Sequence, residues 1–489
     1  MYWLNAAKYI RSHGKLVVVG ISVKQKKIEF TKRLKVVFAD PPFGRESKGE
    51  AVTESPNLGI LYIIGYAKPR LQNVDFIYLE PFLSIEEHLQ KVKEHKPDIY
   101  AISFTTPRRE LSFETISKVK DLGLDMLMVA GGAHPTIDPQ DVLNNTPIDV
   151  CIVGEGEETT CELIKKVQAK ESVAEVAGTV NRYKNNGLRP LLKDIDFFPA
   201  WDLINFEDYD VAVSKKKRMA YLLPIRGCPN YCTYCSNPVW KLEKPWIRQR
   251  SPKNIAEEIR YLYGRGIREI YLRSDTFNVD IKWCLEVCTE IEKLDLQAMT
   301  YQCNLRADKL TDELAQRLHD INVWLVHIGL ESANDRVLKG IGKNATQACN
   351  VRTLELLKKH HIKVYGFLML YNAWETNSKL EYETPDEVNN TLHFAKNCLR
   401  DNLIEYISWS ITNPLIGSKL HAIAKKYNIA NYNVKIGNCM KLPGISEQQM
   451  IEHVKQGMIL QLLNGIQKGM ITKKSYKRAA QKAIKILNM

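Results

Sequence analysis

Short runs of β-branched and aromatic residues alternate with amphipathic runs along most of this chain, and the alternation occurs twice. In the first stretch the strand-like runs are Leu34–Phe38, Val74–Leu79, Asp98–Ser103, Met126–Ala130 and Asp149–Val153. Helical patterns follow at Gly59–Lys68, Ile85–His95, Leu111–Lys120 and Thr159–Val167. Strands of about five residues alternating with helices of about ten predict a doubly wound parallel sheet. The second stretch has strand-like runs at Tyr221–Ile225, Glu269–Arg273, Ala298–Gln302, Val323–Gly329, Val364–Leu370 and Glu405–Ile411. Helical patterns such as Pro252–Tyr263 and Thr311–His319 lie between them. Six such units are too few to close an eight-unit barrel, so an open, partial (β/α)6 barrel is expected. The fold class is therefore α/β, with a small helical region at the C-terminus. The expected division is a basic extension over 1–34, the sheet unit over 35–172, a linker over 173–219, the partial barrel over 220–430 and a basic helical region over 431–489.

In open α/β sheets, ligands bind outside the carboxyl ends of the strands. Four loops rich in small residues follow strands of the first unit: Asp40-Pro-Pro-Phe-Gly44, Ser103-Phe-Thr-Thr-Pro107, Gly131-Gly-Ala-His-Pro-Thr136 and Gly154-Glu-Gly-Glu157. Together they suit a large, flat ligand, although glycines after strands also serve plain tight turns.

The chain holds eleven cysteines. The apolar run Leu16–Val23 falls short of the roughly 18 to 20 residues that span a bilayer. It follows Lys8, Arg11 and His13, a poor signal peptide. A reducing, cytoplasmic setting is expected, where clustered cysteines bind metal or do catalysis more often than they form disulfides. Directly after the first strand of the second unit comes Arg226-Gly-Cys-Pro-Asn-Tyr-Cys-Thr-Tyr-Cys235. Cys228, Cys232 and Cys235 can face one point only if the chain wraps around it, as Fe–S cluster loops do. A structural zinc site would want a fourth ligand from a second paired motif, and none is present. Cys284 and Cys288 read as core on a helix with Trp283 and Leu285. Three ligands on a cubane leave one iron open for chemistry.

This spacing after a barrel strand resembles the radical S-adenosylmethionine superfamily. The resemblance implies a 4Fe–4S cluster on Cys228, Cys232 and Cys235, with S-adenosylmethionine on the open iron and cleaved to a 5′-deoxyadenosyl radical. It places Tyr234 near the adenine, Asp275 of Ser274-Asp-Thr276 near the methionyl amine, and Arg306 near the carboxylate. Glu331 and Ser332 are then candidates for ribose or methionyl contacts. With the four loops of the first unit, the chain resembles the cobalamin-binding subgroup of that superfamily over roughly residues 35 to 430. Ser103, Thr105, Gly131, Gly132, His134, Pro135, Gly154 and Glu155 become candidates to line cobalamin.

Two departures stand out. Methionine-synthase-like cobalamin domains carry D-x-H-x-x-G, whose His ligates cobalt; here Asp40 is followed by Pro41, Pro42 and Phe43. The radical subgroup commonly lacks that His, and His134 reads as a loop hydrogen-bonder. After the fifth barrel strand, Leu370-Tyr-Asn-Ala-Trp-Glu-Thr376 replaces a Gly-Leu-Pro-Gly-Glu-Thr-like turn. Tyr371, Trp374 and Glu375 are candidates to touch substrate or to form a lid.

The resemblance implies a methyltransferase acting on an unactivated carbon or phosphorus centre of a small-molecule or lipid substrate, fed by an electron donor such as flavodoxin or ferredoxin. The alternatives are a cyclisation, ring rearrangement or C–C bond formation on the same cofactors, then a tRNA methylthiotransferase, then a non-catalytic cobalamin carrier. The methylthiotransferase would want three further N-terminal cysteines, where this chain has Cys151 and Cys161.

The formal charge of +13 invites a polyanion-binding reading. Residues 1–35 hold nine Lys and Arg against one acid, and residues 453–489 hold eight against none. The body between is slightly acidic, so no nucleic-acid groove is expected. The basic ends read as solvated faces, or as a weak contact with anionic lipid.

Overall fold

The computed structural model describes residues 10–12, 15–17, 33–44, 55–209, 211, 213–236, 241–431 and 440–468, with Ile10–Ser12 and Lys15–Val17 as backbone only. Most of the basic N-terminal extension, and the basic tail beyond Lys468, lie outside the described residues. No helix among the described residues is long and apolar enough to cross a membrane.

The first unit contains β1 (Leu34–Ala39), α1 (Leu58–Ala67), β2 (Val74–Leu79), α2 (Ile85–His95), β3 (Ile99–Ser103), α3 (Arg109–Lys120), β4 (Leu127–Gly131), the short α4 (Ala133–Ile137) and α5 (Pro139–Asn145), β5 (Val150–Ile152), α6 (Glu157–Gln168) and β6 (Thr179–Asn181). Its strand order is β2-β1-β3-β4-β5-β6, parallel except for β6. The connections from β1 run to opposite sides, which makes the β1–β3 boundary a topological switch point. β1 is central and covered on both faces, so nearly every residue in it is apolar and buried. β6 lies in the stretch expected to be an irregular linker; it caps the exposed edge of the short β5 by antiparallel pairing.

The second unit runs from β7 (Met219–Leu222) through the hairpin β8 (Ile225–Arg226) and β9 (Arg248–Gln249), then α7 (Pro252–Gly264), β10 (Glu269–Leu272), α8 (Ile281–Glu292), β11 (Thr300–Leu305), α9 (Asp312–Asp320) and β12 (Val323–Glu331). It continues with α10 (Asp335–Gly340), α11 (Gln347–Lys359), β13 (Lys363–Leu370), the hairpin β14 (Ala373–Thr376) and β15 (Lys379–Tyr382), α12 (Pro385–Arg400), β16 (Tyr406–Ile411), α13 (Lys419–Lys426) and α14 (Glu447–Gln467). Its six strands pair in parallel in the order β7-β10-β11-β12-β13-β16, as an open partial barrel does.

Two strand predictions shift for local reasons. Pro224 offers no N–H to a ladder, so Tyr221–Ile225 splits into β7 and the separate hairpin strand β8. Asp295 and Ala298 take positive φ values of 47° and 60°, which delays the third strand to Thr300.

Helix α1 is apolar nearly all round, a pattern that belongs to a helix buried on every side. One face lies on the first sheet. On another, the Leu61 carbonyl accepts Ala200 N–H at 2.9 Å, and Gly65 meets the Phe198 backbone too closely for any Cβ. Tyr62 reaches the barrel, donating to the Leu223 carbonyl at 3.4 Å and accepting from Arg250 at 3.2 Å. A single hydrophobic core therefore runs from Leu34 in the first sheet through Trp201 to Leu370 in the barrel.

Candidate active site

The three-cysteine loop begins where β8 ends. Gly227 sits at φ 87°, and a Cβ there would fall 1.6 Å from the Trp246 carbonyl oxygen, so only glycine admits the turn. The loop is pinned to the barrel by Thr233 N–H to the Ile341 carbonyl (2.9 Å) and Leu420 N–H to the Thr233 carbonyl (2.8 Å). Cys228 is buried, Cys232 and Cys235 are half-buried, and none is in a disulfide. Cys228 Sγ lies 3.5 Å from Thr276 Oγ1 and accepts from Asn230 Nδ2 at 3.3 Å.

Cys228 and Cys232 act electrostatically on Arg306, and Cys232 and Cys235 on Tyr234, so the three thiols lie in one neighbourhood of the barrel mouth. Among the described residues, no three His, Cys, Asp or Glu side chains close on a single ion. A cubane asks for something else: three thiolates, each to its own iron, from a loop that wraps. The donor set here fits that demand. Cys284, Cys288 and Cys303 do not compete, because burial pushes the Cys288 thiol up to about 12 and raises Cys284 and Cys303 further.

Beside the loop, Glu331 ends β12 at φ 64° after a register shift. Its Oε1 accepts from Tyr234 Oη at 2.9 Å and from Lys343 Nζ at 2.8 Å. Burial and the adjacent Glu331 push the Tyr234 phenol well above its ordinary range, so it stays a donor. Lys343 comes from the turn after α10 and carries no motif, so the sequence did not point to it. Arg306 is held by Asp308 at 2.8 and 3.1 Å and also donates to the Lys343 carbonyl. Asp275 lies on the cavity wall next to Ser274, whose buried Oγ has no hydrogen-bond partner among the described residues. Such an orphan hydroxyl fits a site shaped for a polar ligand.

Ser332 Oγ donates to Glu383 Oε1 at 2.9 Å, and Glu383 Oε2 accepts from Asn372 N and Nδ2 at 3.1 and 2.9 Å. Burial lifts the Glu383 carboxyl from 4.5 to about 7. The folded state thus holds this proton more tightly than the unfolded chain, and its stabilising share fades as pH rises from about 4.5 through 7. Asp40, lifted by burial to about 6, acts in the same sense. Urea unfolding across that window should show stability falling toward neutral pH, with Glu383→Gln reducing the total fall by on the order of 3 kcal/mol. An unchanged slope would refute the assignment.

A cavity of about 730 Å³ joins the two units. Its sheet-side wall includes Ser103, Gly131, Gly132, Gly154 and Glu155; its barrel side includes Arg226, Cys235, Arg273, Asp275 and Asn304. Gly132, at φ 95°, brings backbone so close to Phe104 that a Cβ would lie 2.8 Å from its carbonyl oxygen.

Thr105, His134 and Pro135 are not among the lining residues. Thr105 is exposed, whereas Pro135 is buried in α4 beside His134. The His134 ring is spent on Thr106 Oγ1 (3.1 Å) and Asp141 Oδ2 (3.0 Å) and packs against Phe104. Asp40 is likewise caged, by Tyr78 Oη (2.5 Å) and Asn57 Nδ2 (2.8 Å).

Glu155 is less a lining group than a tie. Its carboxylate binds Arg226 at 2.9 Å and Arg248 at 2.7 Å, while Arg226 also holds Glu157 at 2.6 Å. Burial alone would raise the Glu155 carboxyl; the two arginines bring it below the usual range instead.

Tyr371 and Trp374, candidates for substrate contact, are buried in the barrel wall. Tyr371 shares a 2.5 Å hydrogen bond with His453 Nδ1 of α14, and Trp374 packs on Gly340. Glu375 pairs with Lys426 at 2.6 Å.

Residues 222–375 match the family model of the radical SAM superfamily, and residues 48–164 match that of the B12 binding domain. The chain is 26% identical to an uncharacterized methyltransferase of Pyrococcus horikoshii, over 88% of this chain and 91% of that protein. It is also 26% identical to an anaerobic magnesium-protoporphyrin IX monomethyl ester cyclase of Cereibacter sphaeroides, over 86% and 69%. Among solved structures, the radical S-adenosylmethionine methyltransferase TsrM of Kitasatospora setae, with cobalamin and a [4Fe-4S] cluster bound, superposes with a TM-score of 0.68. That likeness covers 94% of this chain and all of the other at 14% identity, so it speaks for the fold.

Proposed function

We propose that this chain, a member of the radical S-adenosylmethionine superfamily with a B12-binding domain, is a methyltransferase acting on an unactivated carbon or phosphorus centre. The observation that carries this reading is the cavity running from the carboxyl edge of the first sheet to Cys235 and Asp275 at the barrel mouth. Similarity to a methyltransferase over nearly the whole chain supports it. Similarity to a ring-forming cyclase keeps cyclisation or C–C bond formation as the second reading. When bound, the cluster with S-adenosylmethionine supplies a 5′-deoxyadenosyl radical, and cobalamin carries the methyl group.

The chain's own work is to hold and exclude. Cys228, Cys232 and Cys235 would take three irons, leaving the fourth for the amino and carboxylate groups of S-adenosylmethionine. Asp275, with the orphan Ser274 Oγ, would meet the amine. Tyr234, Glu331 and Ser332 would form the nucleoside side, with Arg306 bracing it through Asp308 and Lys343. Ser103, Gly131, Gly132 and Gly154 would lie against the corrin, where glycines let backbone approach a flat ring.

We take residues 35–172 and 220–430 as the two functional units; both family-model matches fall inside these bounds. A cytoplasmic location and a flavodoxin- or ferredoxin-type electron donor complete the proposal. A second cluster of the tRNA-modifying kind finds no support, since Cys151 and Cys161 have thiols raised by burial to about 12 and 11.

Cofactor-loaded protein given reductant and S-adenosylmethionine deuterated at the methyl group should pass the label to its corrinoid, with S-adenosylhomocysteine formed in step. A corrinoid without label, while 5′-deoxyadenosine accumulates, would overturn methyl transfer in favour of the cyclase reading.

A further inference from the structure

Inside the barrel, Glu269 at the start of β10 is fully buried. Its carboxylate accepts from the Lys215 and Lys216 backbone N–H groups at 2.7 Å each, from Trp324 Nε1 at 2.7 Å and from Gln302 Nε2 at 2.8 Å. Gln302 Nε2 also donates to the Val213 carbonyl at 2.9 Å. Both amide protons are thereby committed, and Gln302 Oε1 is left to accept from His327 Nε2, 2.8 Å away. His327 must then carry its proton on Nε2 and present Nδ1 as a bare acceptor.

Nδ1 has no hydrogen-bond partner among the described residues, and it is not one of the fully enclosed orphan atoms. The ring is clasped by Tyr271 at 4.5 Å, Tyr365 at 5.2 Å and Phe367 at 6.1 Å between centroids. Burial, with help from Arg273, pulls the imidazole down to about 3, so it is neutral at any physiological pH.

Two residues further along the chain from Tyr271, Arg273 stands exposed on the cavity wall beside Asn304. Its guanidinium lies over the Tyr221 ring at 5.4 Å and makes no ion pair among the described residues. In the strand ladder Arg273 stands one step beyond the Leu272–Cys303 pair, level with Asn304, and Asn304 pairs with His327. With strands about 4.8 Å apart, the cation and the acceptor lie in one row on either side of β11, about 10 Å apart at the backbone. A cation and an acceptor converging from that separation, with aromatic faces alongside, define a ligand.

We propose that the barrel interior is the substrate subsite for a small planar molecule bearing a carboxylate, paired with Arg273, and an O–H or N–H group that donates to His327 Nδ1. The methyl-transfer reading says what would happen to such a molecule; the recognition itself needs no turnover.

Calorimetric titration of the cofactor-loaded full chain with 4-hydroxybenzoate, benzoate and 4-hydroxybenzyl alcohol tests it. 4-Hydroxybenzoate should bind tightest, with loss of either group weakening binding about tenfold. Arg273→Gln should erase the difference between the acid and the alcohol, and His327→Phe the difference between 4-hydroxybenzoate and benzoate. Residual benzoate binding by His327→Phe shows that this variant is folded. Either difference persisting in its variant overturns the proposal. So does absence of saturable binding in the wild type, or an Arg273→Gln defect confined to corrinoid retention. Formation of 5′-deoxyadenosine by the same wild-type sample separates failure of this subsite from failure of the proposed function.

Discussion

Replacing Cys228, Cys232 and Cys235 with alanine should remove the iron and reduce 5′-deoxyadenosine formation to the level of a protein-free control. The expectation follows from the donor set. Each thiolate would hold a different iron, and Cys284, Cys288 and Cys303 are core residues whose thiols burial keeps protonated. Any one of the three replacements should therefore suffice. The loop's own anchors, Thr233 to Ile341 and Leu420 to Thr233, are backbone bonds that alanine leaves in place. Far-ultraviolet circular dichroism should accordingly stay unchanged while the charge-transfer absorption of the cluster disappears. Cys284→Ala is the contrasting case: it should keep iron and activity but lose roughly 1–2 kcal/mol of stability, because it empties part of a fully buried site. Iron and deoxyadenosine surviving the triple replacement would end the radical mechanism for this chain.

The second large effect should come from Arg226→Met. Arg226 directly precedes the cysteine loop and carries the ion pairs to Glu155 and Glu157, both at the head of α6. Arg248 would still serve Glu155, but Glu157, only 4% exposed, would lose its partner. Stripping one member from a buried pair costs about 3–5 kcal/mol, since the charge that remains is neither solvated nor paired. The loss should appear in denaturant unfolding, and corrinoid retention should drop with it, because Arg226 and Glu155 share the cavity wall. Adding Glu157→Gln to Arg226→Met removes the stranded charge and should recover much of the loss. If the double variant is no more stable than Arg226→Met alone, the network is not what joins the units.

Period and punctuation made the fold readable before any coordinates. All six barrel strands and five parallel strands of the first sheet lie within a few residues of their predicted places. Val74–Leu79 and Ile85–His95 coincide with β2 and α2, the latter fixed by a Ser84–Glu87 capping box. The antiparallel β6 escaped notice because three residues ending in a tight turn carry too little period to register. At the site, spacing pointed to the cysteines as candidates, and strand ends to Asp275 and Glu331. The partners that fix Glu331, Ser332 and Glu155 were not legible: Lys343, Glu383 and Arg248 arrive from other parts of the chain, and long-range pairing leaves no local pattern. His134, read as a loop hydrogen-bonder, bonds Thr106 and Asp141 through its two ring nitrogens. The Gln302–His327 relay belongs with the illegible partners, because period places both residues on strands but says nothing of which amide proton goes where.

Helix α1 has one further consequence. Its apolar surface is divided between the first sheet, the Phe198–Ala200 segment and the barrel, so neither half of the molecule can satisfy it alone. Cut between the halves, the sheet unit would present that flank to water as a sticky surface, and the barrel would lose the wall that Tyr62 lends it. The two units are thus inseparable as folding partners, despite reading as separate modules. A lineage that exchanged one module for another would have had to carry the helix's outer face along with it, which binds the evolution of the corrinoid side to that of the radical side.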